Sequence, residues 1–359
     1  MKTIKPVIIG SGAYLPEDIV KNSDFLNNEF YNASGTKNEK PTDEVVRKFQ
    51  EITGIEERRH LKDKKRSSDM ATIAAQRAIE NAGIDKESID YIIVAHNFGD
   101  LNPDLPIPDL VPALASRVKY HLGIENPYCV SYDILFGCPG WLQGMIQANY
   151  YIKSGDAKRV MVIGVENLSR VSDPHDVDSM IYSDGAGATI LEAVETDEKV
   201  GILAHASRSD TKEYAWMLKM DKSYKPGAHE NKLFLKMNGR RIYEYAVNNV
   251  PLEIKNMLER NDVDISMINK VLLHQANEKM DIAMVQRLFK AYGIRKVPDN
   301  IMPMIINKMG NNSVATLPIM YDMIVRGELK NHKFNSGDYL VFASVGAGLN
   351  VNAMLYRVP

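Results

Sequence analysis

Cysteine and net charge are the two scarce features of this 359-residue sequence. Cys129 and Cys138 are too few for a disulfide framework and lack the spacing of a zinc site, so we expect no metal site and a reducing compartment such as the cytoplasm. The 44 basic and 46 acidic residues nearly cancel, which leaves no overall field for nucleic acid or an anionic membrane surface. No apolar run approaches the ~18 residues of a membrane-spanning helix. We therefore expect neither a nucleic-acid partner nor membrane insertion.

Length and internal repetition indicate two related halves. A chain of 359 residues exceeds the usual size of one hydrophobic core. The segment 84–95 is similar to 263–274, and a Ser-Gly-Asp turn before an apolar strand occurs at 154–156 and again at 336–338. Short buried strands separated by helices are typical of an α/β fold with helix-covered sheets. We predict a duplicated α/β architecture with halves at 1–190 and 200–359.

The stretch DILFGCPGW, residues 133–141, places a cysteine before a helix. Pro139 suits the first turn of a helix, and the residues after it keep a helical apolar period. At a helix N-terminus the unpaired N–H groups and the dipole favour a thiolate, so we expect a lowered pKa for the thiol of Cys138. Taken alone, the pattern also fits a small buried cysteine at the start of a core helix.

Three further segments of the second half end strands or begin helices. His274 follows the apolar run 271–273, at the position that Ala95 has in the first half. Asn311 lies in a turn led by glycine, and Gly346–Gly348 provides small residues that let a backbone N–H approach a ligand. A histidine after a strand is often a hydrogen-bonded core residue, and an asparagine before a helix is often a cap. Convergence of the halves would bring all three near Cys138.

Four motifs in this order carry a resemblance: FGCPGW, SDGAGA (183–188), LLHQAN and GNNSVATLP. They are similar over essentially the whole chain to the ketoacyl-acyl carrier protein synthase III family of thiolase-fold condensing enzymes. The resemblance implies a five-layered αβαβα fold and a homodimer. It also implies an acyl-accepting nucleophile at Cys138, completed by His274 and Asn311, and an oxyanion hole formed by the backbone N–H groups of Cys138 and Ala347.

The same resemblance implies the substrates and the partner. Acyl thioesters of CoA or phosphopantetheine would be substrates, a malonyl-type extender would lose CO₂, and no separate cofactor would be needed. The acyl carrier protein would be the partner, and Arg240, Lys279 and Arg287 are basic residues in regions that relatives use to dock it. The expected function is a decarboxylating Claisen condensation in fatty acid biosynthesis or a related polyketide, resorcinol or aryl-polyene pathway.

The sequence departs from the family pattern in several places. Lys48 and Ile52 stand where relatives that use acyl-CoA carry the tryptophan and arginine that hold the nucleotide. Ala347 replaces a glycine, and the loop Asn97–Pro108, in a region that shapes the acyl pocket and dimer contact of relatives, is longer than usual. These departures resemble a divergent subgroup that includes enzymes of aryl-polyene and dialkylresorcinol assembly.

Three other functions are compatible with parts of the pattern. The same scaffold could transfer an acyl group to an oxygen or nitrogen nucleophile without decarboxylation. A non-catalytic subunit that binds acyl chains would lack the nucleophile, whereas Cys138 is present. A cysteine hydrolase is disfavoured because the sequence has no strained nucleophile pentapeptide and no evident acidic partner for the histidine.

Overall fold

Two mixed β-sheets with helices on their faces build the structure. The computed structural model describes residues 2–102 and 107–359. Residues 103–106, which belong to the long loop Asn97–Pro108 identified in the sequence, lie outside the described residues. Within the described part of the chain, no helix combines the length and the apolar character needed to cross a membrane.

The elements follow one another as a series of strands with helices between them. The strands are β1 (Thr3–Tyr14), β2 (Ile19–Lys21), β3 (Glu57–Arg59), β4 (Tyr91–Ala95), β5 (Asp100–Leu101), β6 (Pro108–Asp109), β7 (Val130–Ile134), β8 (Arg159–Asn167), β9 (Asp184–Thr196), β10 (Gly201–Ser209), β11 (Leu218–Asp221), β12 (Phe234–Met237), β13 (Ile268–Leu273), β14 (Tyr339–Gly346) and β15 (Asn350–Arg357). The α-helices are α1 (Thr42–Thr53), α2 (Ser67–Ala82), α3 (Leu114–Leu122), α4 (Gly140–Ser154), α5 (Thr211–Tyr214), α6 (Gly239–Arg260), α7 (Glu278–Lys290), α8 (Ile306–Met309) and α9 (Thr316–Val325).

The four strands of the second large sheet repeat the order and directions of β1-β9-β8-β4 in the first. The first has the order β1-β9-β8-β4-β7, with β8, β4 and β7 parallel and β9 antiparallel to both β1 and β8. The second has the order β10-β15-β14-β13, with β14 parallel to β13 and β15 antiparallel to both neighbours. The repeated segments 84–95 and 263–274 lead into β4 and β13, which occupy equivalent places. Duplication of one supersecondary unit, predicted from the sequence, would produce this arrangement.

Five layers result because each sheet is covered by helices on both faces. In the second sheet Leu272 packs with α4 and α9 in the central core, whereas Val271 and Leu273 face the outer helices α6 and α7. In the first sheet Ile93 points toward the central helices, and Ile92 and Val94 point toward α2 and α3. Because side chains alternate between the two faces of a strand, each strand contributes residues to two hydrophobic cores. The αβαβα fold expected from the resemblance is confirmed.

A hairpin of β11 and β12 is tied to the body of the protein by a buried ion pair. Lys236 Nζ lies 2.5 Å from a carboxylate oxygen of Asp173 and 2.9 Å from one of Asp176. On the other face of the hairpin, cross-strand register places Leu218 beside Met237. Because successive strand residues point to opposite faces, the lysine anchors the hairpin while its apolar face stays free to line a cavity.

Candidate active site

Cys138 lies where the carboxyl end of the edge strand β7 turns into the central helix α4. Since β4, β7 and β8 are parallel, their carboxyl ends meet at one edge of the first sheet. The turn from β7 to α4 passes through Gly137, whose φ of +65° favours glycine, and Pro139 is the N-cap of the helix. The placement of Cys138 before a helix, predicted from the sequence, is confirmed.

The backbone of the second half touches the turn at Cys138 directly. A Cβ on Gly346 would lie 2.4 Å from the backbone nitrogen of Cys138, and a Cβ on Gly137 would lie 2.7 Å from the backbone nitrogen of Ala347. Both glycines are therefore required by close approach. The amides of Cys138 and Ala347, proposed for the oxyanion hole, consequently lie side by side at the seam between the halves.

His274 is held at the end of β13 by its own backbone. Its amide donates to the carbonyl of Ala343 at 2.9 Å, and the side chain is buried. Burial lowers the pKa of the imidazole to about 4, so the ring is neutral at pH 7. Its Nδ1 atom is buried and makes no hydrogen bond within the described part of the chain. A neutral imidazole can accept a proton at its unprotonated ring nitrogen and can donate a hydrogen bond from its ring N–H.

Asn311 is fixed by a backbone bridge that crosses between the halves. The backbone N–H of Asn311 donates to the backbone carbonyl of Ile181, and its backbone carbonyl accepts from the N–H of Ser183, both at 2.9 Å. These two bonds lie on either side of Tyr182. The side-chain Oδ1 accepts from the backbone N–H of Ser313 at 2.7 Å. Because the acceptor end of the amide is occupied in this way, its N–H₂ group is the end left to act as a donor. The motif SDGAGA thus has a structural role in positioning Asn311.

One cavity of about 270 Å³ brings the predicted residues together. Cys138, His274, Asn311 and Ala347 all line it. The remaining wall is mostly apolar. The hairpin contributes Leu218, Met220, Leu235 and Met237, and the rest of the chain contributes Phe98, Leu168, Ile242, Met280, Val345 and Leu349. A few convergent polar groups in an apolar cavity are typical of a small-molecule site.

The expectation of a lowered thiol pKa is wrong for the free protein. The pKa of the Cys138 thiol is raised to about 11, chiefly by burial; the hydrogen bond from Ser313 acts against this rise, and the carboxyl of Glu166 adds to it. Desolvation of the thiolate therefore outweighs the helix N-terminus. The resting pair is a neutral thiol and a neutral imidazole, and the thiol needs a base to react.

Comparison with known proteins identifies the chain. The family description "3-Oxoacyl-[acyl-carrier-protein (ACP)] synthase III" matches residues 132–211, and its C-terminal counterpart matches residues 258–358. The chain belongs to the 3-oxoacyl-[acyl-carrier-protein] synthase III family. The "Beta-ketoacyl-[acyl-carrier-protein] synthase III" of Ehrlichia canis is 32% identical over 356 residues, which cover 99% of each chain.

Two further synthase III proteins have the same extent as this chain. The "Beta-ketoacyl-[acyl-carrier-protein] synthase III 1" of Halalkalibacterium halodurans is 33% identical over 351 residues, covering 98% of this chain and 97% of the relative. The crystal structure of 3-oxoacyl-[acyl-carrier-protein] synthase III from Aquifex aeolicus is 28% identical, with a TM-score of 0.78 over 98% of this chain and 99% of that chain. The family resemblance read from the four motifs is confirmed.

The basic residues expected at the docking surface of this synthase III chain do not line the cavity that contains Cys138. Arg240 is highly exposed and bonds to Glu244 at 3.1 Å. Lys279 and Arg287 are exposed on α7, and Arg287 also bonds to the amide oxygen of Asn248. Of the three docking candidates, Arg240 lines a second cavity. Their role in docking stays a prediction.

That second cavity leads toward the surface from the first. The two share the lining residues Met237, Ile242, Ala276 and Met280. Lys40, Lys48 and Arg240 place three cationic side chains on its wall, beside Ile52. Lys48 and Ile52, which we interpreted in the sequence as standing at the nucleotide-holding positions of relatives, both line this outer cavity.

Three polar residues around the sulfur were missed in the sequence. Asn97 and Ser313 line the first cavity, and Glu166 lies behind Asn97 near the end of β8. The signal for Glu166 was a polar residue at the end of the apolar run 160–165, and the signal for Asn97 was a polar residue two positions after β4. Ser313 lies two residues after Asn311, inside a motif that we interpreted only through its asparagine.

Proposed function

We propose that this condensing enzyme joins an acyl thioester to a malonyl-type extender on acyl carrier protein, with Cys138 as the nucleophile. The observation that carries the proposal is the shared cavity of Cys138, His274 and Asn311. These residues come from both halves of the chain and meet at the strand ends, which is where ligands bind in α/β sheets. Acyl transfer without decarboxylation and a non-catalytic binding subunit are not favoured, because the complete set is present.

The first step transfers the acyl group to sulfur. The neutral imidazole of His274 takes the thiol proton, and the electron pair left on sulfur attacks the thioester carbonyl. The backbone N–H groups of Cys138 and Ala347 hold the oxyanion of the tetrahedral adduct; loss of one such donor typically costs about 10²- to 10³-fold in rate. When the adduct collapses, the leaving thiolate receives the proton from His274.

The second step forms the carbon–carbon bond. The malonyl group loses CO₂, and the electron pair of the broken bond moves into an enolate whose oxygen accepts hydrogen bonds from His274 and from the amide of Asn311. The enolate carbon attacks the acyl carbonyl on Cys138. Collapse of the new adduct expels the sulfur, which recovers a proton, and leaves a β-ketoacyl thioester on the carrier.

Thioesters of CoA or phosphopantetheine are the proposed substrates, without a separate cofactor. The outer cavity is lined by three cationic side chains, Lys40, Lys48 and Arg240, and by one carboxyl, that of Asp178, so it offers net positive charge to a phosphate and to an acidic carrier protein. Arg240, Lys279 and Arg287 are the proposed docking residues. The cytoplasm is the proposed compartment, since Cys138 must remain a free thiol.

A homodimer is proposed at the edge of the first sheet. β7 pairs only with β4 among the described strands, so its other edge is open. Exposed apolar side chains surround this edge, with Tyr128, Val111 and Tyr120 each at least 80% exposed and Leu135 at 62%. An open strand edge with an apolar surround favours self-pairing around a two-fold axis. Sedimentation of the purified protein should give twice the chain mass, and Leu135→Asp should shift it toward the monomer; a monomeric wild-type protein would contradict the proposal.

Intact-mass spectrometry tests the nucleophile. Incubation with a panel of acyl-CoA and acyl-carrier thioesters should add one acyl group to the wild-type protein and none to Cys138→Ala. The variant Cys129→Ala is the matched control, because Cys129 is the other free cysteine and should leave the adduct unchanged. An adduct that persists in Cys138→Ala would show that the nucleophile is elsewhere.

Separate assays of acylation and decarboxylation test the roles of His274 and Asn311. With a pre-acylated enzyme, His274→Ala and Asn311→Ala should each lose release of CO₂ from a malonyl thioester. Asn311→Ala should still accept an acyl group at close to the wild-type rate, because the amide acts only on the enolate. Equal loss of both activities in Asn311→Ala would reject this division of roles.

A further inference from the structure

Four side chains form a hydrogen-bonded line that ends on the sulfur. Asn97 Nδ2 donates to Glu166 Oε1 at 2.5 Å and to Ser313 Oγ at 3.3 Å. Ser313 Oγ in turn donates to Cys138 Sγ at 3.3 Å. Glu166 and Ser313 are buried, with 1% and 5% of their surface exposed, so the line runs through the interior.

The line has a fixed direction. A side-chain amide has two N–H donors, and Asn97 uses one for the carboxyl of Glu166 and the other for the hydroxyl of Ser313. The acceptor oxygen of Glu166 thus keeps the N–H₂ end of the amide, rather than its carbonyl, toward Ser313. Because the hydroxyl oxygen already accepts from Asn97, its own hydrogen is directed to the sulfur of Cys138.

The backbone of Ser313 has an unusual conformation that serves both of its bonds. Its φ is +49°, in the left-handed region that residues other than glycine rarely adopt. In this conformation the backbone N–H donates to Asn311 and the hydroxyl donates to Cys138. Strained residues of this kind persist at functional sites where the surrounding structure holds them.

We propose that Ser313 is a further catalytic residue, which stabilises negative charge on the sulfur of Cys138, and that Asn97 and Glu166 are positioning residues that direct its hydroxyl. The inference rests on the proposed function. Charge develops on sulfur twice in that reaction: when His274 removes the thiol proton, and when the final carbon–sulfur bond breaks and its electron pair returns to sulfur. During loss of CO₂ the sulfur is a neutral thioester, so Ser313 has no part in that step.

Burial of the sulfur makes the Ser313 hydroxyl important as a hydrogen-bond donor to the thiolate. Hydrogen bonds to charged groups are stronger than neutral ones, and few other donors can replace this one in a buried site. The hydrogen bond from Ser313 acts against the burial that raises the pKa of the Cys138 thiol. Removal of the hydroxyl should therefore make the thiolate harder to form at every pH.

Alkylation of Cys138 by iodoacetamide, followed by intact mass from pH 7 to pH 10, is the first test. In Ser313→Ala the rate at pH 8 should fall by about 10- to 100-fold, and the rate profile should move up by about one to two pH units. Asn97→Ala should move it in the same direction by less. The reagent needs no acyl donor, so failure here is distinguishable from failure of the protein to accept acyl groups.

Matched variants separate the hydroxyl from its surroundings. Ser344→Ala removes another buried hydroxyl, one without a partner among the described residues, and should leave the profile unchanged. Ser313→Gly removes the hydroxyl but suits the positive φ, so it should behave like Ser313→Ala even where the alanine variant folds poorly. Coincidence of the Ser313→Gly and wild-type profiles, or an equal shift in Ser344→Ala, would overturn the proposal.

A second test uses the step in which sulfur is uncharged. Ser313→Ala protein that has been acylated to completion should release CO₂ from a malonyl thioester within about threefold of the wild-type rate, an estimate that reflects the absence of charge on sulfur. Its rate of self-acylation should be reduced in parallel with alkylation. An equal loss of decarboxylation would indicate a general structural defect and would overturn the proposed role.

Discussion

Glu166→Gln tests the protonation state of the buried carboxyl that is linked to Cys138 through Asn97 and Ser313. Burial raises the pKa of Glu166 from its ordinary value of 4.5 to about 8. Between these pH values the unfolded chain has lost the proton and the folded protein retains it. Stability therefore falls as pH rises across this interval, by about 1.4 kcal/mol per pH unit, because the unfolded state binds fewer protons.

The magnitude follows from that slope. Ionisation of Glu166 lowers the free energy of unfolding by less than about 1 kcal/mol at pH 5 and by about 3 kcal/mol at pH 7. The loss reaches its maximum of about 5 kcal/mol above pH 8. Glutamine does not ionise, so Glu166→Gln should gain these amounts relative to wild type. Any cost of fitting the new amide is independent of pH and cancels in the comparison of pH 5 with pH 8.

Urea denaturation at pH 5, 7 and 8 measures the effect. The difference in unfolding free energy between Glu166→Gln and wild type should become more favourable to the variant by several kcal/mol from pH 5 to pH 8. Glu195→Gln changes an exposed side chain on β9 and should show no such trend. A variant whose relative stability is the same at all three pH values would refute a neutral carboxyl in the folded protein.

Three further predictions concern the hairpin of β11 and β12, the contact between the two halves at Gly346, and the imidazole of His274. Lys236→Met should lower the free energy of unfolding by about 3 to 5 kcal/mol in urea titrations, because it leaves two buried carboxylates without their cation; an unchanged midpoint would contradict this. Gly346→Ala should retain the wild-type circular dichroism spectrum yet acylate at least about 10²-fold more slowly, since its Cβ would displace the amide of Cys138. Self-acylation should fall below pH 5 as the His274 imidazole, with a pKa of about 4, takes a proton; a rate that is constant down to pH 3 would exclude it as the base.

The sequence predicted the features that depend on pattern. The apolar runs that became β4 and β13, and their repetition, led to the correct fold class. Four motifs led to the correct family and to Cys138, His274 and Asn311, which the structure brings into one cavity. Their catalytic roles stay proposals until the variants are measured.

Features that depend on burial were not predictable in the same way. The pKa of the Cys138 thiol was expected to fall because the start of a helix is visible in the sequence, whereas the apolar walls that desolvate the sulfur come from distant segments. The hairpin of β11 and β12 was not identified, although it supplies several of those walls. Glu166 and Ser313 were missed because their partners are far away in the chain.

The turn at 197–199 is exposed and joins the two sheets, with Cys138 before it and His274 after it. A chain cut at this turn would give two polypeptides, neither of which carries a complete reaction centre. Product would then form only after the two polypeptides had associated. The fold thus lends itself to a split reporter, in which condensation signals that two separately made fragments have come together.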